Sequence, residues 1–95
     1  MFKYMEDYYL EPKQSYSSKY TKVVEEFGEL KECVENYGPV SSTAEEIAQE
    51  SLDLILSTTN FLRKMQDEGL IDIGTETFKH SVKLNQYLET GKYTK

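Results

Sequence analysis

The chain has no tryptophan, one cysteine, one histidine, two prolines and no long apolar run. Each scarcity removes a class of function. Cys33, alone, cannot form an intrachain disulfide and has no second thiol for a cysteine-based zinc site. With His80 the only imidazole, nucleophilic dyads and histidine-rich metal centres have too little to build from. No stretch reaches the roughly 20 apolar residues that span a bilayer. The first residues, Met1 to Tyr9, lack the basic region and apolar core of a secretory leader. A cytoplasmic location without a membrane partner is expected. Basic charge is scarce too, with 17 acidic residues against 11 lysines and arginines and a formal charge of −6. Nucleic acid is therefore not an expected partner, because its phosphates need a basic stripe to displace their counterions.

What is present is acid on a strongly helical background. The composition, 38% hydrophobic and 29% charged, is that of a folded helical chain and not a disordered one. At 95 residues it is one domain, 1–95, small enough that folding buries only roughly 60 to 65% of the unfolded surface. Apolar positions Tyr16, Tyr20, Val23, Phe27, Leu30, Val34 and Tyr37 step by four and three, predicting one buried stripe on a helix over 15–37. Gly38 and Pro39 should stop it. Thr43 and Glu46 have capping-box spacing and open a second helix over 43–68. Asp72 to Thr75 introduce a third, over 75–90, that ends near Gly91. Residues 1–14 form an aromatic arm or short helix laid over the hairpin.

The second helix is apolar round most of its circumference. Ile47, Leu54, Phe61 and Met65 make one face, Ile55 and Leu62 widen it, and Ala48, Leu52 and Leu56 continue it round the back. Such a helix needs neighbours on nearly all sides. The expected fold is thus all-α, an antiparallel helical hairpin plus a third helix, completing a four-helix-bundle-like core as a homodimer or dimer of dimers.

Four acids stand out by register. Glu26 with Glu29 and Glu50 with Asp53 are i, i+3 pairs on either side of the turn between the first two helices. Folding about residue 39 places Glu29 level with Glu50 and Glu26 level with Asp53, about 15 Å from the turn at 1.5 Å per residue. Either pair alone reads as a solvated acidic face. Asp53, however, lies within the apolar run Leu52 to Leu56, and Glu26 borders the stripe of Val23, Phe27 and Leu30. Unpaired carboxylates there are costly unless a cation joins them. The four acids are expected to bind a hard metal, Mg²⁺ with Mn²⁺ as substitute, because every donor is oxygen. No Glu-x-x-His pair exists for a ferritin-like di-iron site. Continuing the register puts Lys22 opposite Ser57 and Lys19 opposite Asn60, so Lys19, Lys22, Asn60 and Lys64 are candidates for substrate phosphate oxygens. The competing reading is that these lysines merely offset nearby acid. Gly28, mid-helix, is a candidate for close backbone approach.

The segments Glu25-Glu26-Phe27-Gly28-Glu29-Leu30 and Glu46-Ile47-Ala48-Gln49-Glu50-Ser51-Leu52-Asp53 resemble the E-E-x-x-E-L and E-x-x-D signature of MazG-like nucleotide pyrophosphohydrolases. These are all-α enzymes grouped with dimeric dUTPases and phosphoribosyl-ATP pyrophosphohydrolase. The resemblance covers about residues 19–64, and the length is similar to small stand-alone members, including those of phage genomes. It implies Mg²⁺ on Glu26, Glu29, Glu50 and Asp53, with Glu26 or Glu29 orienting the attacking water. The implied reaction cleaves a nucleoside triphosphate to monophosphate and pyrophosphate. Asn60, Lys64 and Lys83 are the nearest counterparts of the family's outer contacts. Phosphoribosyl-ATP hydrolysis and a non-catalytic nucleotide-binding or interaction module are the alternatives.

Overall fold

The computed structural model describes residues 2–38 and 42–91. It is all-α, with a short 3₁₀ turn at Lys3–Asp7 followed by α1 (Tyr16–Glu35), α2 (Ala44–Asp67) and α3 (Ile73–Thr90). The chain divides into two compact units, Met1–Lys64 and Met65–Lys95.

In the first unit α1 and α2 form the helical hairpin. Ser15 starts α1, its hydroxyl accepting from the Ser18 amide at 3.1 Å. The helix ends at Glu35, two residues before the expected boundary. Asn36 is the reason: its amide and its side-chain Nδ2 both donate to the Glu32 carbonyl, diverting the chain before Gly38. Pro39, the other expected stop, lies outside the described residues. Gly38 and Ser42 close the turn, through Gly38 N–H to the Ser42 carbonyl and Ser42 N–H to the Asn36 carbonyl. Thr43 caps α2 as its spacing predicts, accepting from the Glu46 amide at 3.1 Å. Register shows in the seam, where Phe61 of α2 meets Tyr16 and Tyr20 of α1 with ring centroids 5.0 and 6.1 Å away.

The apolar stripe of α1 is not buried. Val23 and Leu30 are half-covered, whereas Tyr20, Phe27, Val34 and Tyr37 are each more than half exposed. A single hairpin cannot supply enough surface to cover it. α2 is half-covered all round, with residues 54–59 intermediate in exposure without a break. Met5 is the one buried apolar side chain among the described residues. Gly28 does not meet a neighbouring backbone: a Cβ there would find nothing within 4 Å. This mid-helix glycine therefore costs about 1 kcal/mol relative to alanine with no compensating contact in the described chain.

The arm crosses the hairpin with a kink at Glu11, whose φ of 48° lies in the left-handed region. That conformation costs a residue with a Cβ roughly 1 to 2 kcal/mol, so the arm's fastenings hold it against strain.

In the second unit α2 ends in a Schellman motif. Gly69, at φ 75°, bonds back to Gln66 while the Leu70 amide bonds to Met65. The Gln66 side chain accepts from the Ile73 amide, steering the chain into α3. Asp72 caps α3 on both the amide and the hydroxyl of Thr75, so the helix begins at Ile73, two residues earlier than expected. It ends at Gly91 in the left-handed conformation.

Candidate functional site

Two helices bring three acids to one point. Ligand atoms from Glu26 and Glu29 of α1 and Glu50 of α2 all lie within 4.8 Å of one another. Glu26 is buried at 6% exposure, Glu50 is half-buried and Glu29 is exposed. One Glu26 oxygen is met by the Lys22 ammonium at 2.8 Å, one helical turn earlier. The other, Oε2, is buried without a hydrogen-bond partner, and so is Oε2 of Glu50. Buried carboxylate oxygens without donors are costly, and a proton or a cation is what relieves them. An all-oxygen set with orphaned, converging lone pairs fits a hard divalent cation.

The electrostatics agree. Glu29 is held above the usual carboxylate range, first by the charge of Glu26, then by lost hydration, then by a hydrogen bond to Glu50 that needs a proton between the carboxyls. Lys22 is pushed up by its hydrogen bond to Glu26. The pH dependence of stability follows. A carboxyl whose folded pKa is raised contributes stability below its unfolded value, about 4.3, that is lost as pH rises through the folded value. Asp72 has the opposite sign: hydrogen bonds from the Thr75 hydroxyl and amide lower it, so its contribution is present above about 3.9 and lost as pH falls through the folded value. In EDTA, melting temperature should rise as pH drops through the raised Glu29 value and fall again as pH drops through the lowered Asp72 value. Glu29→Gln should flatten the upper limb. Thermal melts across this range test it, and an upper limb unchanged by Glu29→Gln would contradict the assignment.

Asp53 does not join the group. It is exposed, and among the described residues the clustered acids are Glu26, Glu29 and Glu50. Three residues carry position 53 about 60° round the cylinder and about 4.5 Å along the axis from position 50, and an aspartate is one methylene shorter than a glutamate, so it is Glu50 that reaches Glu26. The mirror register nevertheless holds at other levels. Glu29 meets Glu50, while Lys22 with Ser57 and Lys19 with Asn60 line one pocket.

That pocket, about 430 Å³, is bounded by Lys19, Lys22, Leu56, Ser57 and Asn60 of the hairpin and by Leu10 and Glu11 of the arm. A second cleft of about 280 Å³, on the turn side of the acids, is lined by Glu29, Glu32, Cys33, Asn36, Ser42, Glu46 and Glu50.

Three of the expected phosphate contacts are engaged elsewhere. Lys19, 4% exposed, donates to the Leu10 carbonyl at 2.6 Å, and burial lowers its pKa. Asn60, 6% exposed, accepts from the Leu10 amide at 2.7 Å and donates to the Tyr8 carbonyl at 2.9 Å. Lys64 donates to the Pro12 carbonyl at 3.0 Å. Lys22 is the expected contact that stands beside both the acids and the pocket. Lys83 lies on α3 with its ammonium 5.6 Å from the Tyr87 ring. Arg63 was not foreseen as a contributor. It donates to the Glu6 carbonyl at 2.9 Å and stacks on Tyr9 at 4.2 Å. The signal was its uniqueness: it is the chain's only arginine, at a place where a planar cation can stack. Comparison with family models, curated proteins and solved structures returned no match to this chain.

Proposed function

We propose that the protein is a divalent-metal-dependent nucleotide pyrophosphohydrolase, converting a nucleoside triphosphate to monophosphate and pyrophosphate. The observation that carries this reading is the convergence of Glu26, Glu29 and Glu50 with two buried oxygens that lack donors, next to a lysine-bordered pocket. The signature that resembles MazG-like enzymes falls on the same residues. Mg²⁺ is the proposed ion, held by Glu26, Glu29 and Glu50, with Asp53 one turn further along α2 as an outer contact. When bound, the ion would neutralise phosphate charge and favour ionisation of a water.

The side chains have separate tasks. Glu29, exposed and able to hold a proton, is suited to take one from the attacking water, whereas Glu26 is anchored by Lys22 and suited to positioning. Lys22 faces the pocket as well as Glu26 and is the nearest cation for the departing phosphates. Leu10 and Leu56 offer an apolar wall for sugar or base.

Incubating the protein with deoxynucleoside triphosphates, ribonucleoside triphosphates and phosphoribosyl-ATP should release pyrophosphate with Mg²⁺ and none with EDTA. Turnover of phosphoribosyl-ATP alone would select that substrate, and no turnover of any would reject the enzyme.

The exposed α1 stripe and the near-absence of a buried core favour a self-associated form, a dimer or dimer of dimers covering Tyr20, Phe27 and Val34. Light scattering at micromolar concentration should give a mass of at least two 11.1 kDa chains. A clean single-chain mass would refute it.

A further inference from the structure

We propose that the N-terminal arm is a releasable strap that occupies the phosphate-binding donors, and that a polyphosphate entering the adjoining pocket displaces it. The inference rests on the reading of that pocket given above.

The arm is gripped by its backbone at every second residue. The carbonyls of Glu6, Tyr8, Leu10 and Pro12 accept from Arg63, Asn60, Lys19 and Lys64 in turn, and the Leu10 amide completes a two-bond lock on Asn60. Apart from Met5, which is buried, and Tyr9, which stacks against Arg63 and Lys19, its side chains contribute little, since Tyr4, Tyr8 and Leu10 are each more than half exposed. A segment held by backbone bonds with little apolar burial belongs to the low-stability end of a fold. The kink at Glu11 adds strain that release removes.

Chemistry sets the direction of exchange. Three of the four gripping side chains are cations, yet their acceptors here are neutral carbonyls. Phosphate oxygens are charged and form the stronger hydrogen bond to the same donors. Glu11 lines the pocket on its arm side together with Lys19 and Lys22, its carboxylate accepting from the Gln14 side-chain amide and its charge acting on Lys19. A polyanion cannot share that wall without repulsion, so its entry and the arm's departure are one event. In the closed state the arm therefore competes with substrate, and apparent affinity carries the cost of opening.

Amide hydrogen exchange by NMR on the full chain in EDTA tests this with inorganic tripolyphosphate as the probe. The Leu10 amide should exchange faster by about tenfold or more at saturation, while the Ile55 amide inside α2 stays protected. Sodium chloride at matched ionic strength should not reproduce the effect. Unchanged or slower Leu10 exchange would overturn the strap, as would equal acceleration by sodium chloride. Because the probe needs neither metal nor turnover, the two proposals fail separately. Release without pyrophosphate production sinks the enzyme, and hydrolysis with a fixed arm sinks the strap.

Discussion

Glu50→Gln should weaken divalent-metal binding and at the same time make the metal-free protein as stable as the wild type or more so. Both outcomes follow from three carboxylates whose ligand atoms lie within 4.8 Å of one another. Without a cation their charges repel, and Oε2 of both Glu26 and Glu50 sits buried with no donor. A glutamine at position 50 removes one charge and brings an amide able to donate to Glu26 or Glu29. In EDTA the variant's melting temperature should equal or exceed the wild type's, and adding Mg²⁺ or Mn²⁺ should raise only the wild type's. Calorimetric titration with Mn²⁺ should show affinity lower by about tenfold or more, as expected when a metal's carboxylate ligand is lost. Pyrophosphate release should fall roughly 100-fold or more, because a bound cation supplies several kcal/mol of transition-state stabilisation. A stability loss in EDTA with Mn²⁺ affinity intact would mean that Glu50 is structural, and the proposed centre would have to be abandoned.

The second large effect is expected at Asn60. Asn60→Ala should destabilise the protein by about 2 kcal/mol, because it removes the two hydrogen bonds by which the buried Asn60 side chain holds the Leu10 amide and the Tyr8 carbonyl. For a chain of this size that corresponds to roughly 8 to 16 °C in melting temperature. Denaturant melts measure the energy. Limited proteolysis locates it, with the variant expected to be cut first between Tyr8 and Gln14, where the freed arm is most accessible. Asn60→Asp separates the two halves of the lock. A carboxylate still accepts from Leu10 but repels the Tyr8 carbonyl, so this variant should fall between wild type and Asn60→Ala. A wild-type melting temperature for Asn60→Ala would show that the arm is held by Met5 and the Arg63–Tyr9 stack instead.

These two residues also mark where a sequence reading succeeds and where it stops. Glu50 is legible because helical spacing and antiparallel pairing are arithmetic: once α1 and α2 are recognised, positions 29 and 50 fall level with each other. Thr43 and Asp72 were legible for a similar reason, since a cap bonds to an amide three residues along. Asp53 was assigned by the same arithmetic and stands outside the cluster, because level along an axis is not the same as rotation about it. Asn60, Lys19 and Lys64 read from sequence as phosphate contacts, but their partners here are backbone carbonyls in the arm, 9 to 52 residues distant. A backbone carbonyl has no residue type, so no pattern announces it. Gly28 was read as a contact and has none.

By itself the sequence determined the helices, their caps and the antiparallel register that pairs Glu29 with Glu50, because these depend on contacts within a few residues or on one turn. Tertiary structure alone decided which acids converge, that the stripe of α1 is left open, and that the arm fastens across the lysine-bordered pocket. Those depend on rotation about helix axes and on backbone groups common to every residue, neither of which side-chain spacing encodes.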